Sequence, residues 1–166
     1  STPGQGTRFR VLLPVHYETV SCDVRETALG QGRGEHILFV DDEILLVEMN
    51  KDMISQWGYE VTALNSPEEA WECFEHAPDG VDLVITDHTM PGMTGLELSQ
   101  RMLGLRPDLP IILLTGYSEA VTPDHAKSMG VEEFIMKPVV EEVLAAAVRS
   151  ALDGAEKRRK NGQGAS

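Results

Sequence analysis

The sequence contains few cysteines, no long apolar run and no targeting signal. Its two cysteines, Cys22 and Cys73, form neither a CxxC motif nor another closely spaced pair, which favours free thiols in a reducing compartment. The apolar runs all stop well short of the ~20 residues that cross a bilayer, and the first residues lack the basic, then apolar pattern of a signal peptide. We therefore expect a cytoplasmic chain without membrane contact.

Basic residues are also scarce, at 14 against 27 acidic residues, and the formal net charge is −13. Such a charge disfavours nonspecific attraction to nucleic acids and to anionic membranes. A basic run at residues 157–160 could contact nucleic acid, but a solvated tail explains it better. We expect no nucleic-acid partner, and a basic partner surface would be favoured.

From residue 36 to residue 153, strand-like and helix-like patterns alternate five times. This alternation predicts an α/β fold, a (βα)5 repeat with a doubly wound, five-stranded parallel sheet. The first, third and fourth strands are almost continuously apolar, as expected for strands buried on both faces, whereas the second alternates and suits an edge. The predicted strands are Ile37–Val40, Tyr59–Leu64, Val81–Thr86, Ile111–Leu114 and Phe134–Met136.

Apolar residues at helical spacing mark the intervening helices. A Ser-Pro-Glu-Glu start signal at residues 66–69 precedes the second helix, and Gly58 ends the first. The fourth helix, roughly Pro123 to Met129, is short and weakly apolar, whereas the last has near-ideal spacing. The apolar residues at helical spacing in the first, second, third and last helices are Leu46, Met49, Met53 and Trp57; Ala70, Phe74 and Ala77; Leu98, Met102 and Leu105; and Val140, Val143, Leu144, Ala147, Val148 and Ala151.

The segments outside this repeat differ from it in composition. Residues 1–17 include a strand-like run at Arg8 to Val15, and the glycine-rich residues 18–35 predict a linker. Residues 154–166 are polar and predict a disordered tail. Because the chain begins without Met, we expect it to be a piece of a longer protein.

Four of the predicted strands end on side chains able to handle phosphate or metal. Asp41 and Asp42 follow the first strand, Asp87 the third, Thr115 the fourth and Lys137 the fifth. The carboxyl ends of parallel strands lie along one edge of the sheet, and open α/β sheets bind their ligands there. These distant residues can therefore meet in one pocket. The combination predicts a site that places a phosphoryl group on Asp87.

Three acids at one edge would repel one another. If Asp41, Asp42 and Asp87 lie about 4.5 Å apart, each ionised pair costs about 3 to 4 kcal/mol at an effective dielectric of about 20. That is large beside a total domain stability of about 5 to 15 kcal/mol. Either one carboxyl keeps its proton, or a divalent cation occupies the cluster. Oxygen ligands and phosphate chemistry favour Mg²⁺ as that cation.

Asp87 is the candidate nucleophile, because a carboxylate can accept phosphoryl as an acyl phosphate. Lys137 and the metal would stabilise charge on the transferring oxygens, and Thr115 offers a hydroxyl to a phosphoryl oxygen. Each residue also has a purely structural explanation: helix capping for the acid pair, turns for Asp87 and Thr115, and a solvated charge for Lys137. Their joint occurrence at four strand ends favours the phosphoryl site.

The segment from about residue 36 to residue 153 resembles the receiver domain of two-component response regulators. The resemblance is carried, in family order, by residues 39–43 (FVDDE), 87–95 (DHTMPGMTG), Thr115 with the following glycine, and 134–138 (FIMKP). It implies a flavodoxin-like strand order of 2-1-3-4-5. It also implies that Asp87 accepts phosphoryl from a phosphohistidine on a histidine kinase or a histidine phosphotransfer domain.

The same resemblance implies a metal site. Asp42 and Asp87 would ligate Mg²⁺ together with the backbone carbonyl of Thr89, and Asp41 would act through water.

The resemblance further implies a switch, in which Thr115 and Phe134 respond to phosphorylation. The face formed by the fourth helix, fifth strand and fifth helix would be the partner surface, with a homodimer through it as one use. The Lys137-Pro138 bond is often cis in the family. Thr89 and Tyr117 occupy positions at which the family varies the lifetime of its aspartyl phosphate.

Residues 4–14 carry a second, shorter resemblance. They are similar to the glycine-threonine box and last strand that close the ATP-binding domain of sensor histidine kinases. Followed by a receiver, this segment implies the C-terminal part of a hybrid histidine kinase, with residues 1–17 as the remnant of its ATP-binding domain. The rest of that domain is absent, so we expect no productive ATP binding.

Two other functions use similar residues. A phosphatase of the haloacid dehalogenase type also combines an aspartyl nucleophile with Thr, Lys and Mg²⁺, but its nucleophile lies on the first strand and has a second Asp two residues later, where this chain has Thr89. A degenerate receiver would act as a docking surface without phosphorylation, and the intact acids, Thr115 and Lys137 argue against it.

Overall fold

The structure of the chain, a computed structural model, describes residues 32–116 and 127–163. The predicted kinase remnant, nearly all of the predicted linker, Tyr117 and most of the predicted fourth helix lie outside the described residues. Within these ranges the chain forms one sheet with helices on both faces.

Five parallel strands form one sheet in the order β2-β1-β3-β4-β5, which confirms the predicted fold and strand order. Strand β2 lies at an edge, as its alternating pattern predicts. The strands are β1 His36–Val40, β2 Glu60–Leu64, β3 Leu83–Asp87, β4 Ile111–Thr115 and β5 Glu133–Met136; the helices are α1 Ile44–Gln56, α2 Pro67–His76, α3 Gly95–Leu105 and α4 Glu141–Gln163, with a 3-10 turn at Pro78–Gly80.

Two apolar layers pack on the two faces of the sheet. Leu83 and Ile85 of β3 face the layer shared with α1 and α4, and Val84 between them faces the layer shared with α2 and α3. Strands β3 and β4 are buried along their whole lengths. Their continuous apolar runs arise because both of their faces are covered.

The helix starts follow the local sequence. Ser66 caps α2 by accepting a hydrogen bond from the Glu69 amide, with Pro67 in the first turn. Thr94 and Glu97 form a capping box at the start of α3, which satisfies two amides that the helix itself leaves unpaired. The capping box fixes the residue at which α3 begins after the loop that follows β3.

The predicted disordered tail is wrong for residues 154–163, because α4 continues to Gln163. Ala155 is buried, so the apolar face of the helix extends beyond the predicted boundary at residue 153. The Arg158 guanidinium donates two hydrogen bonds, of 3.1 and 2.9 Å, to the Glu132 carboxylate. Such contacts to distant residues cannot be read from a local composition that looks like a tail.

The end of the predicted linker also belongs to the domain. The Gly32 amide donates a hydrogen bond of 2.7 Å to the Trp57 carbonyl, and Arg149 pairs with Glu35 at 2.8 Å. The domain therefore begins no later than residue 32.

Within residues 32–116 and 127–163, none of the helices combines the length and the apolar character needed to cross a bilayer.

Candidate functional site

The carboxyl edge of the sheet brings together the side chains predicted from the strand ends. Asp41, Asp87 and Thr115 are each at least 96% buried, with exposed fractions of 1%, 4% and 1%. The Lys137 ammonium donates a hydrogen bond of 2.9 Å to Asp41 Oδ2 and pairs with Asp87 Oδ1. The Lys137 amide also donates to the Thr115 carbonyl at 2.7 Å. Strands β1, β3 and β4 and the end of β5 thus contribute to one site.

Lys137 compensates the charge of the buried acids in a way that the sequence analysis did not foresee. We expected a retained proton or a divalent cation to relieve the repulsion between the acids. The structure instead places one ammonium between Asp41 and Asp87. Lys137 is therefore the counter-charge of the acid site as well as a candidate ligand of a phosphoryl oxygen.

Backbone amides hold the second oxygen of each buried acid. The Thr89 amide donates to Asp87 Oδ2 at 2.7 Å, and the Glu43 amide donates to Asp41 Oδ1 at 3.0 Å. In both cases the donor lies two residues further along the chain, as in an Asx turn. Asp87 consequently has one oxygen fixed by backbone and the other beside the Lys137 ammonium.

The electrostatics of the site leave Asp87 poorly compensated as an anion. Burial raises the pKa of Asp87 and the nearby Asp41 charge adds to this, and together they outweigh the lowering by Lys137 and the Thr89 amide. Burial lowers the pKa of Lys137, but its hydrogen bonds to Asp87 and Asp41 outweigh burial and raise that pKa overall. One ammonium therefore stays charged between two acids without fully offsetting them, so a second cation at this edge would be stabilising.

The predicted cluster of three acids does not form. Asp41 is buried and its neighbour Asp42 is exposed, because successive side chains of an extended segment point in opposite directions. Thr89, in the loop after β3, is also exposed. In the described ranges, no group of three or more His, Cys, Asp or Glu side chains is placed to hold a metal.

The donor set nevertheless fits Mg²⁺. Magnesium is commonly held by one or two carboxylates and completes its shell with waters and phosphate oxygens. The carboxylates of Asp41 and Asp87 both contact the Lys137 ammonium, so they already lie close together around a positive charge. The exposed carboxylate of Asp42 follows directly after Asp41 at the same edge.

The two predicted switch residues lie at different depths. Thr115 is buried at the end of β4. Phe134 of β5 is partly buried and packs against the cluster of Leu96, Leu113 and Val131. The Lys137-Pro138 peptide bond, which lies between β5 and α4, is cis, as is common in the family that the sequence resembles.

Two residues beside Asp87 were missed by the sequence analysis. A Cβ on Gly95 would lie 2.0 Å from the Asp87 carbonyl oxygen, so the first turn of α3 approaches the acceptor more closely than any side chain allows. Thr86 donates its hydroxyl to the same carbonyl oxygen at 3.0 Å. The glycine at position 95, at the end of the motif formed by residues 87–95, was the available signal for a close approach. Thr86, in contrast, looks in the sequence like one more residue of a buried strand.

Comparisons with known proteins point to one family. A family model described as the response regulator receiver domain matches residues 37–149, more than half of the chain. The C4-dicarboxylate transport transcriptional regulatory protein DctD of Rhizobium meliloti (strain 1021) is 35% identical over 123 residues, which cover 74% of this chain and 26% of DctD. The transcriptional regulatory protein FixJ of Bradyrhizobium diazoefficiens is 28% identical over 128 residues, or 76% of this chain and 60% of FixJ.

Solved receiver structures have the same fold. A response regulator receiver domain protein from Clostridium thermocellum is 28% identical, with a TM-score of 0.71 and coverage of 74% of this chain and 97% of that one. A CheY-like receiver from Methanospirillum hungatei is 30% identical, with a TM-score of 0.70 and coverage of 75% and 98%. The chain spans only 26% of DctD and 60% of FixJ, so the match concerns the receiver and not the whole regulators. The chain belongs to the response regulator receiver domain family of two-component signalling.

Proposed function

We propose that this receiver accepts a phosphoryl group on Asp87 from a phosphohistidine, with Mg²⁺, and changes conformation in response. The observation that supports this best is the placement of Asp87, which lies at the end of β3 beside the Lys137 ammonium that it shares with Asp41. Family membership supports the same role, because receivers of this family work with histidine kinases or phosphotransfer proteins.

In the proposed transfer, an Asp87 oxygen attacks phosphorus and the bond from phosphorus to the donor imidazole nitrogen breaks. The electron pair of that bond stays with the imidazole, and Asp87 becomes an acyl phosphate. The Thr89 amide holds Oδ2, which leaves Oδ1, beside the ammonium, as the attacking atom. Lys137 then stabilises charge on the transferring oxygens, the main contribution that proteins make to phosphoryl transfer.

Mg²⁺ would be held by Asp42, Asp87 and the Thr89 carbonyl, with Asp41 acting through water, and the exposed Asp42 side chain would have to turn toward Asp87 to do so. When bound, it would neutralise charge on the phosphoryl oxygens. The incomplete compensation of Asp87 by Lys137 supports a second cation.

We further propose that Thr115 and Phe134 form the switch, with Thr115 donating its hydroxyl to a phosphoryl oxygen. The output face would comprise β5, the start of α4 and the helix predicted at residues 123–129, and a homodimer could form through it. Three exposed apolar side chains, Met136, Val140 and Val143, support an interaction at this face.

The cellular context is proposed from sequence alone. Residues 4–14 resemble the end of a kinase ATP-binding domain, so we place this receiver in a cytoplasmic hybrid histidine kinase. A phosphatase of the haloacid dehalogenase type is disfavoured, because Asp87 ends the third strand and the family match is to receivers.

The test is labelling with acetyl phosphate and Mg²⁺, followed by intact-mass spectrometry. We expect one phosphoryl group per chain in the parent and in Asp52→Asn, an exposed acid of α1, and none in Asp87→Asn. Equal labelling of Asp87→Asn, or an unlabelled parent, would overturn the proposal. Continued release of many phosphates per chain from phosphate esters would favour the phosphatase instead.

A further inference from the structure

Thr86, the residue before the proposed acceptor, is fully buried in β3. Its Oγ1 donates a hydrogen bond of 3.0 Å to the Asp87 backbone carbonyl. The hydroxyl lies on the α3 side of the sheet, because a Cβ built on Gly95 would be 3.0 Å from Thr86 Oγ1. The polar group is thus enclosed between the end of β3 and the first turn of α3.

The Asp87 carbonyl is where the strand passes into the loop. Pairing between β1 and β3 ends one residue earlier, at Val40 and Thr86, so the hydroxyl supplies a donor beyond the end of that pairing. A buried carbonyl without a donor is unfavourable, and a segment that loses its donor rearranges to find another. The Thr86 hydroxyl therefore fixes the orientation of the peptide that follows Asp87.

That peptide leads directly to the group that holds the acceptor carboxylate. The Thr89 amide, two residues beyond Asp87, donates to Asp87 Oδ2 at 2.7 Å. Rotation of the peptide after Asp87 would move this amide and release the oxygen.

We infer that Thr86 is a positioning residue for phosphoryl transfer, acting through the Asp87 carbonyl and the Thr89 amide on the acceptor carboxylate. The inference rests on the proposed function of Asp87. Packing alone does not require the hydroxyl, because Val has the same branched shape and would fill the same buried space. The hydroxyl lies where the acceptor has to be held.

The test compares Thr86→Val with Thr86→Ser, using Ser99→Ala as a matched control. Ser99 is equally buried and donates its hydroxyl to the Gly95 carbonyl at 2.6 Å, so its replacement also removes a buried hydroxyl near α3 but leaves the Asp87 carbonyl bonded. Labelling rates are measured against acetyl phosphate concentration with Mg²⁺. Amide hydrogen exchange at Thr89 is measured by NMR without phosphodonor.

We expect Thr86→Val to lower the maximal labelling rate by about tenfold, since small displacements of a reacting group cost one to two orders of magnitude. The half-saturating donor concentration should change little, and the Thr89 amide should exchange faster. Thr86→Ser should restore both properties, and Ser99→Ala should match the parent in both. If Thr86 only stabilised the fold, Thr86→Ser would not be expected to restore the labelling rate. Nor would Thr86→Val be expected to lower the maximal labelling rate while leaving the half-saturating donor concentration unchanged.

The inference fails if Thr86→Val matches Ser99→Ala in labelling rate and in Thr89 exchange. If the parent is not labelled at all, the proposed function fails, and unchanged Thr89 exchange in Thr86→Val would separately refute the positioning role. Should Thr86→Val not fold, Thr86→Ala removes the same hydroxyl together with the γ-methyl group, and the same two measurements decide.

Discussion

Lys137 donates a hydrogen bond of 2.9 Å to Asp41 across 96 positions of sequence. The same ammonium pairs with Asp87, and 29% of the lysine side chain is exposed while the two acids are nearly enclosed. A buried ion pair is weak evidence for net stability, but removal of one partner leaves the other charge uncompensated. Lys137 is thus what lets two acids occupy this edge before any metal binds.

Replacement of Lys137 by Met should therefore destabilise the metal-free domain. We expect the free energy of unfolding to fall by about 2 kcal/mol, less than for a fully buried pair because the lysine is partly solvated. Urea unfolding with a chelator present measures this change. Lys51→Met, at an exposed position of α1, is the matched control and should change stability by less than about 0.5 kcal/mol. Equal urea midpoints of unfolding for Lys137→Met and Lys51→Met would contradict the role assigned to Lys137.

Asp87 should make the stability of the metal-free domain pH-dependent. Burial raises the pKa of Asp87 above its ordinary value of 3.8, so the folded state binds this proton more tightly than the unfolded state does. Ionised Asp87 then destabilises the fold, starting as the pH rises through the unfolded pKa and fully once the pH exceeds the raised folded pKa. Below the unfolded pKa both states are protonated and the effect disappears.

Asp87→Asn removes this titration. With a chelator present, we expect the variant to be more stable than the parent at pH 7, and the two to converge as the pH falls toward about 4. Urea unfolding at a series of pH values tests this, with Asp52→Asn as the control that should follow the parent. A stability difference independent of pH would show that Asp87 is not the titrating group.

Mg²⁺ should stabilise the folded chain through the proposed site. A ligand that binds only the folded state adds about 2.7 kcal/mol to the free energy of unfolding when present at 100 times its dissociation constant. We expect thermal unfolding of the parent and of Asp52→Asn to shift upward with Mg²⁺. The shift should vanish in Asp87→Asn and shrink in Asp42→Ala. An undiminished shift in Asp87→Asn would place the cation elsewhere.

The fold and the acid edge were predictable, whereas the charge balance at that edge was not. Buried parallel strands have continuous apolar runs. Strands such as Leu83–Asp87 can therefore be predicted from the sequence, together with the polar residues at their ends. Because adjacent side chains of an extended segment point in opposite directions, only one of Asp41 and Asp42 is buried at this edge, and which one depends on the path of the chain after Val40. The pairing of Lys137 with both acids depends on contacts between strands that are far apart in sequence.

The C-terminal helix was under-predicted for a similar reason. Residues 154–163 are polar enough to look like a tail, but Ala155 is buried and Arg158 pairs with Glu132. We expect helical chemical shifts and slowed amide exchange to continue beyond residue 153 and to fade only in the last turn of the helix, which ends at Gln163. Because its ion pair is exposed, Arg158→Glu should cost less than about 1 kcal/mol in global stability. It should nevertheless speed exchange in residues 156–160. Random-coil shifts from residue 154 onward would contradict the helix.

Gly95 and Gly104 of α3 form a matched pair for testing the close approach to Asp87. A Cβ on Gly95 would lie 2.0 Å from the Asp87 carbonyl oxygen, whereas a Cβ on Gly104 meets nothing within 4 Å.

Alanine is favoured over glycine in a helix by about 1 kcal/mol, so Gly104→Ala should stabilise the domain by up to that amount. Gly95→Ala, at the first residue of α3, forces backbone apart in a packed region, which costs about 1 to 3 kcal/mol or more. We expect opposite signs in urea unfolding, together with slower labelling of Asp87 in Gly95→Ala alone. Stabilisation by both substitutions would mean that α3 does not approach the acceptor as closely as the structure places it.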